Sequence, residues 1–101
     1  MLFRSVKPEQ FRGVARTLRA HYGLRYSMLV LLSTRKQGLL ECLLVLNGEV
    51  NTVREILRVE PVARLHSSPE VELAILPISK KDWDEALEPE IWEAHWTGTQ
   101  L

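Results

Sequence analysis

At 101 residues the chain has the size of one domain, with enough residues to bury a hydrophobic core. Hydrophobic residues make up 46% and charged residues 26%, a balance that excludes disordered and fibrous classes, and no apolar run approaches the roughly 20 residues of a membrane span. The lone cysteine excludes an internal disulfide and "MLFRSVKPEQ" lacks the apolar region of a signal peptide, so we expect one cytoplasmic domain over residues 1–101, with no membrane contact.

The charges are divided unevenly along the chain, although they sum to zero. Residues 1–37 carry a net charge of +7 and residues 38–101 carry −7. From Asp82 onward there are six carboxylates and no lysine or arginine. This division indicates either an anionic partner for the first half or attraction between the halves, within one chain or between two.

The first predicted element is an amphipathic helix in "KPEQFRGVARTLRAHYG". Pro8 suits its first turn and Gly23 its end. Apolar residues at helical spacing form one face, and arginines form another. The apolar set is Phe11, Val14, Ala15, Leu18 and Tyr22, and the basic set is Arg12, Arg16 and Arg19.

A β-hairpin is predicted next, from "RYSMLVLLS" and "LLECLLVL" with a turn at Gly38. Because both strands are apolar at nearly every position, we expect the hairpin to be central, with both faces covered. Cys42 shares a face with leucines and is expected to be buried and unreactive. Glu41 points to the other face, where Arg25 or Arg35 could pair with its carboxylate.

The second half predicts a helix, a strand and two further helices. "EVNTVREILRVE" has helical spacing and is expected to end at Pro61, with "PVARLHSSPE" as a loop or short edge strand. "VELAILPI" predicts a strand whose Pro77 indicates a sheet edge. Ser79 is the expected N-cap of a helix through Leu87, and Pro89 and Gly98 bound the last helix.

The predicted order is therefore α-β-β-α-β-α-α. This order describes an α+β fold with a small, largely antiparallel sheet around a central hairpin, packed by the N-terminal amphipathic helix and the C-terminal helices.

Residue patterns for catalysis or metal binding are not apparent in the sequence. His21, His66 and His95 are far apart, and no paired cysteines, P-loop, GxGxxG or GxSxG motif occurs. We therefore expect no catalytic residue, metal or cofactor, and a non-enzymatic function.

The order of elements, with "VELAILP" and the terminal "PEIWEAHW", resembles minimal nucleotidyltransferases in outline. That family has a Gly-Ser turn after its first strand and an Asp-x-Asp pair on its second. This chain has "LLSTRKQG" at the turn, and Leu40 and Cys42 at the aspartate positions. Because Mg²⁺ needs carboxylate oxygens, the resemblance implies at most a catalytically degenerate relative.

The residues favoured for function are Trp83, Trp92 and Trp96, since tryptophan is enriched at interfaces. Trp92 and Trp96 are four residues apart and should share a helix face. These residues predict a domain that binds another protein or itself, with self-association favoured. The expected form is a two-fold dimer in which one chain's basic helix faces its partner's acidic tail. The alternative is that all three tryptophans belong to the core.

A second possible function is nucleic-acid binding or regulation through the basic half. The candidate residues are Arg12, Arg16, Arg19, Arg25, Arg35 and Lys36. Arginines on one helix face and in a hairpin turn could contact phosphates. The acidic second half and the lack of a recognised nucleic-acid motif count against this function.

Overall fold

The computed structural model describes residues 12–32 and 38–101 of the chain. The helices are α1 (Arg12–Tyr22), α2 (Thr52–Leu65), α3 (Lys80–Glu85) and α4 (Pro89–Thr97), and a short 3-10 helix spans Gly23–Arg25. The strands are β1 (Tyr26–Leu31), β2 (Leu39–Leu46), β3 (Glu72–Ser79) and β4 (Thr99–Gln100). The predicted α+β class and element order are confirmed, and β4 is an additional strand. No helix in the described part of the chain has the length and apolar character needed to span a membrane.

The four strands form one sheet in the order β3-β2-β1-β4. β1 pairs antiparallel with both β2 and β4, whereas β2 and β3 run parallel because α2 connects them as a crossover helix. The sheet is thus mixed but largely antiparallel, and the predicted hairpin occupies its centre. Pro77 lies on β3, which is an edge strand as its position predicted.

Helices cover both faces of the sheet, as the nearly continuous apolar strands predicted. On one face, α1 and α2 pack over the alternate β2 residues Leu40, Cys42, Leu44 and Leu46. On the other, Trp83 from α3 and Ile91 and Ala94 from α4 pack over Val30, Leu43 and Val45. We call these the α1–α2 face and the α3–α4 face.

Cys42 is buried in the α1–α2 face, at 1% exposure. Burial raises the pKa of its thiol to about 12, so almost no reactive thiolate exists at neutral pH. We expect a thiol reagent to label the native protein slowly and the urea-unfolded protein rapidly. Labelling at the same rate in both states would contradict the buried position.

Helix α2 continues through Pro61 to Leu65, so the predicted end at Pro61 is wrong, and so is the predicted loop or edge strand over residues 61–65. Residues 66–70 form a loop, as predicted. Proline removes one helical hydrogen bond, to the carbonyl of Leu57. Leu57 and Pro61 both face solvent, where water can satisfy that carbonyl. Val62 and Ala63, on the inner side, pack against the core and hold the last turn in place.

The C-terminal helices have the predicted caps. The Ser79 side chain accepts a hydrogen bond from the Asp82 N–H at the start of α3, and α4 begins at Pro89 and ends at Gly98. α3 ends at Glu85, before the predicted Leu87, because Ala86 adopts a left-handed conformation with φ 49°. The chain then returns to the sheet as β4, and the Leu101 N–H donates to the Leu29 carbonyl.

Candidate interaction surfaces

Helix α4 presents two tryptophans to solvent. Ile91 and Ala94 anchor its inner side to the sheet, whereas Trp92 and Trp96 are 58% and 73% exposed. The two indole rings lie together, with centroids 6.0 Å apart. Their four-residue spacing predicted this shared face. We call this pair the tryptophan patch.

Trp83 differs from the other two tryptophans, because it is only 8% exposed. Its ring stacks on His95 with a centroid distance of 3.8 Å, and His95 Nε2 lies 2.6 Å from the Trp83 carbonyl oxygen. Trp83 therefore belongs to the core and fixes α4 against α3, so the alternative of core tryptophans is correct for Trp83 but not for Trp92 and Trp96. Only Trp92 and Trp96 remain available to a partner.

The tryptophan patch lies in an acidic layer. The segment from α3 through α4, residues 80–97, contains two lysines and six carboxylates, a net charge of −4. Lys80 is already paired with Asp84, at 2.5 Å. The remaining carboxylates are exposed. All of them precede Trp92 along the chain, Glu88 included, except Glu93, which lies between the two tryptophans.

Helix α1 displays the predicted basic stripe. Arg12, Arg16 and Arg19 are all exposed, and the helix contains no acidic residue. The Arg19 guanidinium lies 5.3 Å from the centre of the Tyr26 ring, a cation–π distance. Among the residues that the structure describes, Arg12 and Arg16 make no such ring contact. Arg35 and Lys36 lie outside the described residues.

Arg25, the remaining basic candidate, serves an internal role. Its Nη1 donates to Glu55 Oε2 at 3.0 Å, and its Nη2 donates to the Glu49 carbonyl at 2.8 Å. The guanidinium thus joins the end of α1 to the start of α2. An anionic ligand would have to displace these hydrogen bonds, so Arg25 is poorly suited to binding one.

Within residues 12–32 and 38–101, Glu55 is the one buried carboxylate, at 3% exposure. It accepts hydrogen bonds from the Tyr22 hydroxyl at 2.9 Å and from Arg25, and Arg58 Nη1 lies 3.7 Å away. Burial alone would raise the pKa of Glu55, but the two hydrogen bonds and the two positive charges outweigh burial and lower that pKa. Burial and the hydrogen bond to Glu55 raise the pKa of Tyr22.

Sequence reasoning missed Glu55 and considered Glu41 instead. The available signal was the position of Glu55 on the helix, four residues before Val59 on the side that faces the core. Both carboxylate oxygens of Glu55 accept hydrogen bonds from within the chain, so the arrangement stabilises the junction of α1 and α2.

The outer side of α2 carries an apolar stripe that the sequence did not predict as a surface. Val53 and Leu57 are 70% and 66% exposed, and Pro61 and Leu65 continue the same four-residue spacing in solvent. Arginines border this row of side chains. They are Arg54, Arg58 and Arg64, all exposed. We call the four apolar residues the α2 stripe.

The open edge of β3 is poorly suited to pairing with another strand. The Glu72 N–H donates to the Gly38 carbonyl, next to β2. Successive residues of a strand direct their backbone groups to opposite sides, so those of Leu73, Ile75 and Pro77 are directed to the open edge of the sheet. The Leu73 N–H already donates to Ser67 Oγ at 2.9 Å, and Pro77 has no N–H. Of these three residues, only Ile75 can donate to an added strand, which protects this edge.

The positions that hold the metal-binding aspartates in nucleotidyltransferases carry no metal ligands in this fold. Leu40 and Cys42, at the positions of that family's aspartates, are both buried beneath α1 and α2. Across residues 12–32 and 38–101, no three histidine, cysteine or acidic side chains cluster as metal ligands would.

Together these features define a small α+β protein with two helical layers of opposite charge and an exposed aromatic pair on the acidic layer. Comparison of the chain with protein-family models, with curated proteins and with solved structures gives no match in any of the three.

Proposed function

We propose that this chain is a protein-interaction domain that self-associates, and that the tryptophan patch lies at the centre of the contact. The observation that supports this most strongly is the solvent exposure of Trp92 and Trp96 on a helix whose other side is firmly anchored. Large exposed aromatic surface is costly in water and is characteristic of binding sites.

The surroundings of the patch also support this function. An apolar centre bordered by charged side chains is the usual composition of a protein–protein interface. The rigid attachment of α4 through Ile91, Ala94 and the Trp83–His95 stack reduces the entropy that binding must overcome.

Replacing both tryptophans by alanine should weaken self-association by at least about 30-fold, the equivalent of about 2 kcal/mol for one binding hot spot. Sedimentation equilibrium over a concentration series measures this change. The matched control is Leu24→Ala, which removes a leucine that is 98% exposed in the 3-10 helix. It should leave association unchanged. Wild-type protein that stays monomeric at about 100 micromolar, a concentration that populates even weak complexes, would contradict the proposal.

Binding of an anionic polymer, including nucleic acid, is the second candidate function. It is favoured by the exposed stripe of Arg12, Arg16 and Arg19 on α1, a helix whose own sequence has no acidic residue. Fluorescence anisotropy with a labelled RNA or DNA oligomer tests it. Binding that falls steeply with salt and is lost in the Arg12→Glu/Arg16→Glu variant would support this function.

A further inference from the structure

The two charged helical layers lie on opposite faces of the sheet. The α1–α2 face carries seven arginines and two glutamates on α1, α2 and the 3-10 helix, a net charge of +5. The α3–α4 face carries −4 over residues 80–97. Because the sheet separates these layers, the helices of one layer cannot cover the other within a single chain.

This separation also limits how two copies can meet. In the two-fold pair expected from the sequence, each basic helix would cover the partner's acidic tail, which requires α1 and α4 on the same side of the molecule. In the structure, they lie on opposite faces. The attraction between layers can instead be satisfied head to tail, with the acidic face of one copy on the basic face of the next.

We infer that the tryptophan patch of one copy docks on the α2 stripe of a second copy, an inference that rests on the proposed function. Both surfaces have an apolar centre: the indoles of Trp92 and Trp96 on one side, Val53 and Leu57 on the other. Contact would remove both from water together.

The charges around the two apolar centres are complementary. Exposed carboxylates, Glu88 and Glu93 among them, accompany the tryptophans. Of the arginines that border the stripe, Arg58 and Arg64 are paired with carboxylates of α2 itself, so Arg54 is the main charge offered to the partner. The Arg54 side chain is exposed. Its backbone N–H, not its guanidinium, takes part in the Asn51 cap. Pairing of two α4 helices about a two-fold axis would instead bring like charges together, which disfavours that arrangement.

A head-to-tail contact uses a different surface on each copy, so it continues into open chains or closes into rings. Wild-type protein should therefore form species larger than dimers as its concentration rises. A symmetric contact would stop at the dimer.

A complementation experiment tests the inference. One variant, Trp92→Ala/Trp96→Ala, lacks the tryptophan patch, and the other, Val53→Glu/Leu57→Glu, lacks the α2 stripe. All four side chains are exposed, so both variants should fold, which circular dichroism confirms. Each variant alone should be monomeric. An equimolar mixture should form a 1:1 complex and nothing larger, because each variant retains the surface that the other has lost.

A charge substitution supplies a matched control. Arg54→Glu on α2 should weaken self-association at least about tenfold, the loss expected when an interfacial charge pair becomes a repulsion. Arg16→Glu makes the same change on α1, in the same basic layer, and should have an effect of less than about threefold, since exposed charges beyond the contact are screened. Equal losses for the two would overturn the specific role of α2.

The remaining outcomes separate this inference from the proposed function. If the α2 variant associates like wild type while the tryptophan variant is monomeric, the tryptophan patch binds but the α2 stripe is not its partner, and the inference is overturned alone. Two monomeric variants that do not combine would also overturn it. Normal association of the tryptophan variant would overturn the proposed function itself.

Discussion

Replacing Arg25 by alanine is expected to lower the free energy of unfolding by about 3 kcal/mol, because the change leaves a buried carboxylate without its closest positive charge. Glu55 is almost fully buried, whereas Arg25 reaches it from the surface. The Tyr22 hydroxyl and the more distant Arg58 remain and limit the loss. Urea denaturation followed by circular dichroism measures the difference.

The matched control is Arg64→Ala, which also removes an arginine from an ion pair. Arg64 lies 2.6 Å from Glu60, but both side chains are largely exposed. Exposed pairs of this kind contribute about 0.5 kcal/mol or less. Equal losses for the Arg25 and Arg64 variants would show that the burial of Glu55 has no energetic consequence.

The difference between wild type and Arg25→Ala should depend on pH. In the folded wild-type protein the pKa of Glu55 is lower than in the unfolded chain, where it is about 4.3. The stability that the ionised Glu55 contributes is therefore fully present above about pH 4.3 and is lost as the pH falls through the pKa of the folded state. Without Arg25, the largest contribution that lowers the pKa of Glu55 is removed. That pKa should therefore rise, and protonation at acid pH should relieve the poorly compensated charge. The two unfolding curves should therefore converge below about pH 4. If the difference in unfolding free energy between the two proteins stayed constant down to pH 3, the loss of stability in Arg25→Ala would come from lost packing and not from the charge of Glu55.

Gly98→Ala is expected to destabilise the protein by about 3 kcal/mol, the upper part of the range for overpacked sites. A Cβ at this position would lie 2.6 Å from Val30 Cγ1 and 2.7 Å from the Ala94 carbonyl oxygen. Gly98 joins α4 to β4, so relief of the clash requires one of them to move off β1. Thermal and urea unfolding measure the loss.

Gly13→Ala is the matched control and should change stability in the opposite direction. Its Cβ would meet nothing closer than His66 Cε1 at 3.6 Å, an ordinary contact distance. Alanine within a helix is favoured over glycine by about 0.5 kcal/mol or more. Stabilisation by Gly13→Ala with no loss from Gly98→Ala would contradict the close packing of α4 against β1.

Much of the fold follows from local patterns that the sequence displays directly. Apolar spacing locates α1, the hairpin and β3. The Ser79, Pro89 and Gly98 signals locate the start of α3 and both ends of α4. These predictions succeed because caps and periodicity depend on neighbours within a few residues. Pro61 is the exception, since its local effect is outweighed by the packing of Val62 and Ala63 on the core.

The sequence also predicted that Trp92 and Trp96 share a face, but it could not separate them from Trp83. Which side of a helix meets the sheet depends on the rest of the fold, and α4 turns Ile91 and Ala94 inward. Trp83, on α3, packs against the same face of the sheet and is buried. For the same reason, the sequence did not predict that the apolar residues of the α2 stripe are exposed to solvent.

By itself the sequence determined the α+β class, the central hairpin, the buried Cys42 and the opposition of charge between the two halves, since each depends on composition or local spacing. Only the tertiary structure decided that Arg25 belongs to Glu55 and that α1 and α4 occupy opposite faces of the sheet. Residues 30 positions apart in the chain meet only after the strands have paired. That pairing sends α1 to one side of the sheet and α4 to the other, so the charges of these two helices lie apart within the chain, as the proposed head-to-tail contact requires.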